Sequence, residues 1–297
     1  VYRKMESVRI AMRSESLHRQ GGSLTTKLLK GAGIALLVLG FIGALLPIYW
    51  TLITSLRSAN EVRTLGIEFW PRNPTLENFK LLFDRRLADY TTNSLVVAGS
   101  TVLLGLLIAT PAGYAAARFH FPGKRLLLGV LLFTVMVPGI VIIVPLYIQM
   151  ARWRLLDTYV VLIVLTLAYV TPFTVWLMKG FFEAIPANID NAALVDGYSP
   201  LGAFVRAVLP LARHGMAAGA VYIFIQAWNS FLYPLIFTSS DAVKTLPLFL
   251  YSFIGFYDID WGRLTAAALI AASPVIILYV LLQRVFLEGL VVGSVKG

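Results

Sequence analysis

Few residues in this chain of 297 could carry out a reaction, and their spacing argues against one. His18, His120 and His214 stand isolated, with no metal-ligand or triad spacing. Cysteine is absent, which excludes disulfides, thiolate metal sites and cysteine nucleophiles. No phosphate-binding G-x-x-x-x-G-K-[ST] loop occurs, and Pro122-Gly123-Lys124 lacks both its first glycine and its hydroxyl residue. No catalytic residue, metal ligand or cofactor site is therefore expected. The polar groups that remain suit binding and mechanical contact.

Two clusters of that kind stand out. Gln226, Trp228, Asn229, Ser230 and Tyr233, followed by Pro234, form a polar island in an otherwise apolar run. Amide, indole and phenol groups in hydrocarbon are costly unless they find partners or line a wet cavity. They read either as helix-to-helix hydrogen bonding or as a solute pathway where they meet hydroxyls. The second cluster is Asn191-Ala192-Ala193-Leu194-Val195-Asp196-Gly197, followed by a polar turn and Leu209-Pro210. A helix is expected after Pro186, ending at Asp196-Gly197, with glycine supplying the left-handed conformation of a helix C-terminus. Ser199-Pro200 restarts it, serine as N-cap and proline at the first helical position. The second helix should stop near Pro210. Such a two-helix knob fits a socket on another protein or, alternatively, lies on lipid headgroups as an amphipathic hairpin.

Composition decides what must position these clusters. With 58% hydrophobic and 13% charged residues, the chain departs from a soluble domain, in which about 25% of residues are charged. It is better counted in spans of about 20 residues. Six are predicted, at 31–53, 94–116, 126–150, 158–177, 215–236 and 264–285. Pro138-Gly139 and Pro145 punctuate the third and Pro172 the fourth, which implies kinked helices packed against protein. The first run is too long for a cleaved signal peptide and is followed by five more. Gly215 and Gly219 permit close packing, within the subunit or against a partner. The predicted fold is an all-α polytopic membrane protein.

The basic N-terminal tail, residues 1–30, holds Arg3, Lys4, Arg9, Arg13, Arg19, Lys27 and Lys30 against Glu6 and Glu15, and so should stay cytoplasmic. Arg118, Lys124 and Arg125 agree, whereas Arg152 and Arg154 would fall outside. Both termini and the knob are then cytoplasmic. The net charge of +10 is mainly this topology signal, not a nucleic-acid footprint, although some tail residues could touch anionic headgroups. Outside, residues 57–93 should be an ordered loop with some helix near Leu76–Phe83. Residues 238–262 are rich in aromatics: Phe249, Tyr251, Phe253, Phe256, Tyr257 and Trp261. They form either an interfacial belt or a docking surface or solute gate. No span holds a pair of acids, as a proton- or sodium-coupled carrier often would, so uphill transport would draw its energy from elsewhere.

The knob resembles the EAA loop of ABC-importer permeases. Ala192, Ala193, Gly197, Leu209 and Pro210 match that pattern in register, with Asp196 before the glycine. Asn191 stands where glutamate is expected and Ala207 where isoleucine is. Asp190 is the nearest acid to replace that glutamate, although one helical position turns a side chain by about 100°. Gly113-Tyr114-Ala115-Ala116-Ala117-Arg118 with Phe121-Pro122-Gly123-Lys124 is similar to carbohydrate permeases. So are Met136-Val137-Pro138, Pro145-Leu146-Tyr147, Trp228-Asn229-Ser230-Phe231, Pro234-Leu235 and Leu76-Glu77-Asn78-Phe79. The ending, with Val295, Lys296 and Gly297, is similar to the tail of the maltose-type second permease.

The resemblance implies a type I importer fold with six transmembrane helices in residues 31–297, a core at 90–290, and a cytoplasmic coupling-helix loop at 186–213. It implies a second permease, an ATPase dimer holding ATP and magnesium, and an extracytoplasmic solute-binding protein. Asn191, Ala192, Ala193, Asp196, Gly197, Leu209 and Pro210 would contact the ATPase, as would the C-terminal tail at 287–297. The expected function is one half of a sugar pathway in the inner membrane. The alternatives are a permease for another solute, such as glycerol phosphate, and a self-sufficient channel or secondary carrier.

Overall fold

The computed structural model describes the backbone of residues 2–62, 68–84 and 86–294, and the side chains of 29–62, 68–83 and 86–281. Its regular structure is helical, apart from one antiparallel bridge between Ile254 and Ile259. Helix α1 (Tyr2–Ser55) runs through the expected tail boundary at residue 30 without interruption. Short α2 (Ala59–Val62) and α3 (Glu77–Asp84) lead to α4 (Leu87–Arg118). Then come α5 (Lys124–Met136), a 3-10 turn (Gly139–Ile142), α6 (Ile143–Arg152) and α7 (Tyr159–Ala184).

The knob comprises α8 (Asn188–Val195), α9 (Pro200–Ala203), a π-helical segment (Phe204–Val208) and α10 (Leu209–Leu211). Next are α11 (Arg213–Trp228), α12 (Leu232–Phe237), α13 (Leu246–Tyr251) and α14 (Trp261–Ser294).

Among the described residues, four stretches are long and apolar enough to cross a membrane unbroken: Leu29–Ser55, Leu87–Arg118, Tyr159–Ala184 and Trp261–Leu281. The third and fifth predicted spans are not single straight helices. Lys124–Met136 meets Gly139–Arg152 at 91°. The 13 residues of α5 rise only about 20 Å, short of a hydrocarbon core of about 30 Å. The break has a local cause: Pro138 pushes the residue before it out of the helical region, and Val137 is extended at ψ 118°. The fifth span ends as a helix at Trp228 and resumes at Leu232. Pro234 does not close it. It lies in the first turn of α12, where its missing N–H is harmless. By contrast, α7 continues through Pro172.

Helices α4 and α7 share the most extensive contact. They run parallel, since Tyr159 meets Asn93 near their starts and Met178 meets Gly113 near their ends. A Cβ on Gly113 would lie 2.6 Å from the Met178 Cβ and 2.9 Å from the Lys179 nitrogen, so the approach requires glycine. Helix α11 runs the opposite way, with Gly215 against Phe181 of α7 and Ile223 against Gly105 of α4. Gly215 and Gly219 thus serve packing inside the subunit. The starts of α4, α7 and α14 gather at one end, hereafter the loop end; the knob occupies the other. Outward residues of α1 such as Leu36, Leu37 and Leu39 are exposed, a surface suited to hydrocarbon.

Candidate coupling knob and solute pathway

Local chemistry builds the knob much as its residues predict. Helix α8 is capped at Asp196, and Gly197 takes the left-handed φ of 88°. The Gly202 N–H donates to Ser199 Oγ at 3.1 Å, with Pro200 in the first turn. The second half stops near Pro210 as expected, at Leu211. Proline cannot donate to the Arg206 carbonyl, and its ring crowds that position. The chain widens into a π segment, where the Leu209 N–H reaches the Phe204 carbonyl, and helix continues to Leu211 before a 76° bend into α11.

The knob has two distinct faces. Ala193, Ala203, Val208 and Ala212 are buried. Val208 and Ala212 pack with Met178 and Phe182 of α7, flanked by Tyr114, Phe204 and Met216. The opposite face carries Leu194, Val195 (87% exposed), Tyr198, Leu201 (71%) and Val205. Asn191 and Ala192 are also exposed, as are Asp196, Gly197 and Pro210, whereas Leu209 is half-buried.

Asp190 does not take the place of the missing glutamate on that outer face. It turns inward. Tyr114 Oη donates to Asp190 Oδ1 at 2.6 Å and Arg118 Nε to Oδ2 at 2.9 Å. An Arg118 terminal nitrogen also donates to the Ile185 carbonyl at 2.9 Å. Sequence reading missed this group, because its partners lie 72 and 76 residues apart. The one available signal was an acid beside the motif and a basic end to the Gly113–Arg118 stretch.

The polar island divides. Trp228 is buried and its indole donates to the Ala271 carbonyl at 2.9 Å, so it fastens α11 to α14. Asn229 is exposed and donates to Ile225 of its own helix at 2.9 Å. Gln226 lies one turn from Tyr222, within hydrogen-bonding reach. The Tyr222 ring lies 4.5 Å from that of Phe173 on α7, and Tyr169 is near both Tyr222 and Tyr233. Ser230 stands half-buried in the break before α12. Tyr169, Phe173 and Tyr222 went unnoticed in sequence because single aromatics in apolar spans carry no motif.

The family model described as "binding-protein-dependent transport system inner membrane component" matches residues 102–291. The chain belongs to this family. Among the relatives of this permease is a diacetylchitobiose uptake system permease protein of Streptomyces coelicolor, 36% identical and covering 84% of this chain and 83% of the relative. Another is a trehalose transport system permease protein of Mycobacterium tuberculosis, 33% identical over 88% of this chain and 95% of the relative. The fold is similar to a chain of a bacterial ABC transporter that imports the acidic polysaccharide alginate. The TM-score is 0.74 at 20% identity, covering 87% of this chain and 96% of that one. This permease is a transport component of the inner membrane with an all-helical permease fold, not an enzyme.

At the loop end of the permease, a narrow turn projects between Ile254 and Ile259, closed by the Gly255 N–H donating to the Asp258 carbonyl at 2.9 Å. Phe256 and Tyr257 at its tip are 93% and 94% exposed, their ring centroids 4.8 Å apart. Phe249 and Phe253, in contrast, are buried in the loop-end core. The aromatic segment is therefore part core and part projecting tip. The tail residues Val295, Lys296 and Gly297 lie outside the described residues.

Proposed function

We propose that this permease forms half of the pathway of an ATP-driven sugar importer and couples it to an ATPase through the loop at 186–213. The observation that carries this reading is the knob's geometry. An exposed apolar face is mounted on a base packed into the transmembrane core. Force applied to that face reaches α4, α7 and α11 together. A flexible loop could not pass on a rigid-body displacement.

In this reading the ATPase dimer holds ATP and magnesium, and this chain binds neither. A related second permease completes the pathway. Both termini and the knob face the cytoplasm, with Val295, Lys296 and Gly297 reaching the ATPase. The extracytoplasmic binding protein delivers solute at the loop end, where the Phe256–Tyr257 tip offers aromatic faces able to stack on sugar. Gln226, Asn229, Ser230 and Tyr233, joined by Tyr169, Phe173 and Tyr222, line the pathway. Trp228 supports that face from behind. A sugar is favoured because the two relatives are named for diacetylchitobiose and trehalose.

Affinity purification from the native membrane in mild detergent tests the assembly, with co-purifying proteins identified by mass spectrometry. Stoichiometric recovery of a P-loop ATPase and a second permease is expected. Recovery of the chain alone, still transporting solute without ATP, would make it a channel or carrier instead.

A further inference from the structure

We infer that Arg118, Asp190 and Tyr114 act as a strut that makes the knob and helix α4 move as one body. These are positioning residues for energy coupling, and the inference rests on the importer reading above. Tyr114 and Arg118 are four residues apart in the last turns of α4, so they share one face of that helix. Each grips a different oxygen of Asp190, in the first turn of α8, at 2.6 and 2.9 Å. Arg118 also ties down the Ile185 carbonyl, just after α7 ends. The Tyr114 ring lies 4.5 Å from Phe204 in the π segment and 5.4 Å from Phe182 of α7. One helix end thus holds both halves of the knob, the first by charge and hydrogen bonds, the second by ring contact.

The chemistry suits transmission better than simple cohesion. Apolar surfaces resist separation but allow sliding, because dispersion and hydrophobic burial have little directionality. A carboxylate gripped on both oxygens resists displacement in several directions. The Arg118 and Asp190 side chains are each only 13% exposed, so salt screens the pair weakly and neither charge can leave its partner cheaply. When an ATPase moves the exposed face, the strut carries that motion into α4, which packs along α7 and α11.

The test uses the complete co-purified complex in proteoliposomes, loaded with its binding protein and ATP. Labelled diacetylchitobiose, trehalose and alginate oligosaccharide serve as probes, and sugar uptake and ATP hydrolysis are measured together. Asp190→Asn should leave the ATPase bound and hydrolysing while sugar moved per ATP falls at least about fivefold, the lower end of ordinary coupling between sites. Tyr114→Phe keeps the rings and removes one hydroxyl, so it folds even if the charge variant is lost; sugar per ATP should fall about twofold, as for loss of one modest hydrogen bond. The exchanged pair Arg118→Asp with Asp190→Arg should recover part of the ratio. An unchanged ratio in Tyr114→Phe and Asp190→Asn overturns the strut. So does a fall in uptake, hydrolysis and assembled yield in equal proportion, which marks a merely structural role. A wild-type complex that moves none of the probes overturns the sugar-importer reading, and the strut with it.

Discussion

At the loop end of the permease, segments are fastened chiefly by side chains that hold backbone; at the knob end, by a side-chain group built around an ion pair that also ties down one carbonyl. Asn78 donates to the Ser55 and Arg57 carbonyls at 2.9 and 2.8 Å. Asn93 does the same for Ala242 and Lys244 at 3.0 and 2.8 Å, and accepts from Tyr159 Oη at 2.6 Å. Asp157 accepts from the Ser239 and Ser240 N–H groups at 2.8 and 2.9 Å. These contacts hold loops in place, because a backbone carbonyl or amide cannot swing away as a side chain can. At the knob, the Tyr114–Arg118–Asp190 group joins the end of α4 to the start of α8, whose outer residues Leu194 and Val195 are exposed. Under the importer reading, the contrast is between an end that holds its loops in place and an end that passes on movement.

The largest effect should come from deforming the knob without touching the loop end. Gly197 has open space around it but a φ of 88°, so Gly197→Val meets only backbone strain. That strain is about 1–2 kcal/mol, and relieving it re-aims α9 relative to α8. Uptake should fall about tenfold while membrane insertion persists; a stably expressed variant with normal uptake would remove the knob from coupling.

Next in size is Asn93→Leu, which breaks the loop-end clamp by removing a buried amide's hydrogen bonds to Ala242, Lys244 and Tyr159, each worth about 1 kcal/mol. Its thermal stability in detergent should drop, whereas co-purification of the ATPase should not. Equal loss of both would show that the two ends are not independent.

A smaller change is expected from Asn229→Leu, whose amide bonds only within its own helix. Solute affinity or preference should shift, with ATP hydrolysis and docking intact. Unchanged transport kinetics would return Asn229 to a local helix-end role.

The smallest concerns pH. The Ser239 and Ser240 N–H groups hold the Asp157 carboxyl below its usual range. Its folded-state value is depressed, so its contribution is present above the unfolded value of about 3.9 and is lost as pH falls through the folded one. Wild type should therefore exceed Asp157→Asn in thermal stability by a constant margin from about pH 8 to 5, narrowing only below about pH 4. A margin that varies near neutrality would mean another group titrates there.

Much of this was legible in residue order. The membrane class follows from composition, and the knob's turn follows from Gly197, Ser199 and Pro200 acting on their immediate neighbours. Breaks were less legible. Pro138 announced a kink, yet its 91° size depends on what α5 and α6 pack against. Pro210 marked the stop, but the π segment just before it was not announced. Trp228 and Asn229 are adjacent in sequence and looked alike as polar residues in an apolar run. Packing sent one into the α14 contact and left the other exposed.

The sequence by itself determined what depends on hydrophobicity and short-range backbone preference: an all-helical membrane chain, its apolar runs, and a capped two-helix knob. Tertiary structure alone decided that Asp190 faces inward to Tyr114 and Arg118 and that two glycines of α11 pack within the subunit. It also decided that Tyr169, Phe173 and Tyr222 gather near Gln226 and Tyr233. The reason is range. Caps and breaks act over a few residues, whereas partners about 70 residues apart meet only once parallel helices have fixed which of their faces coincide.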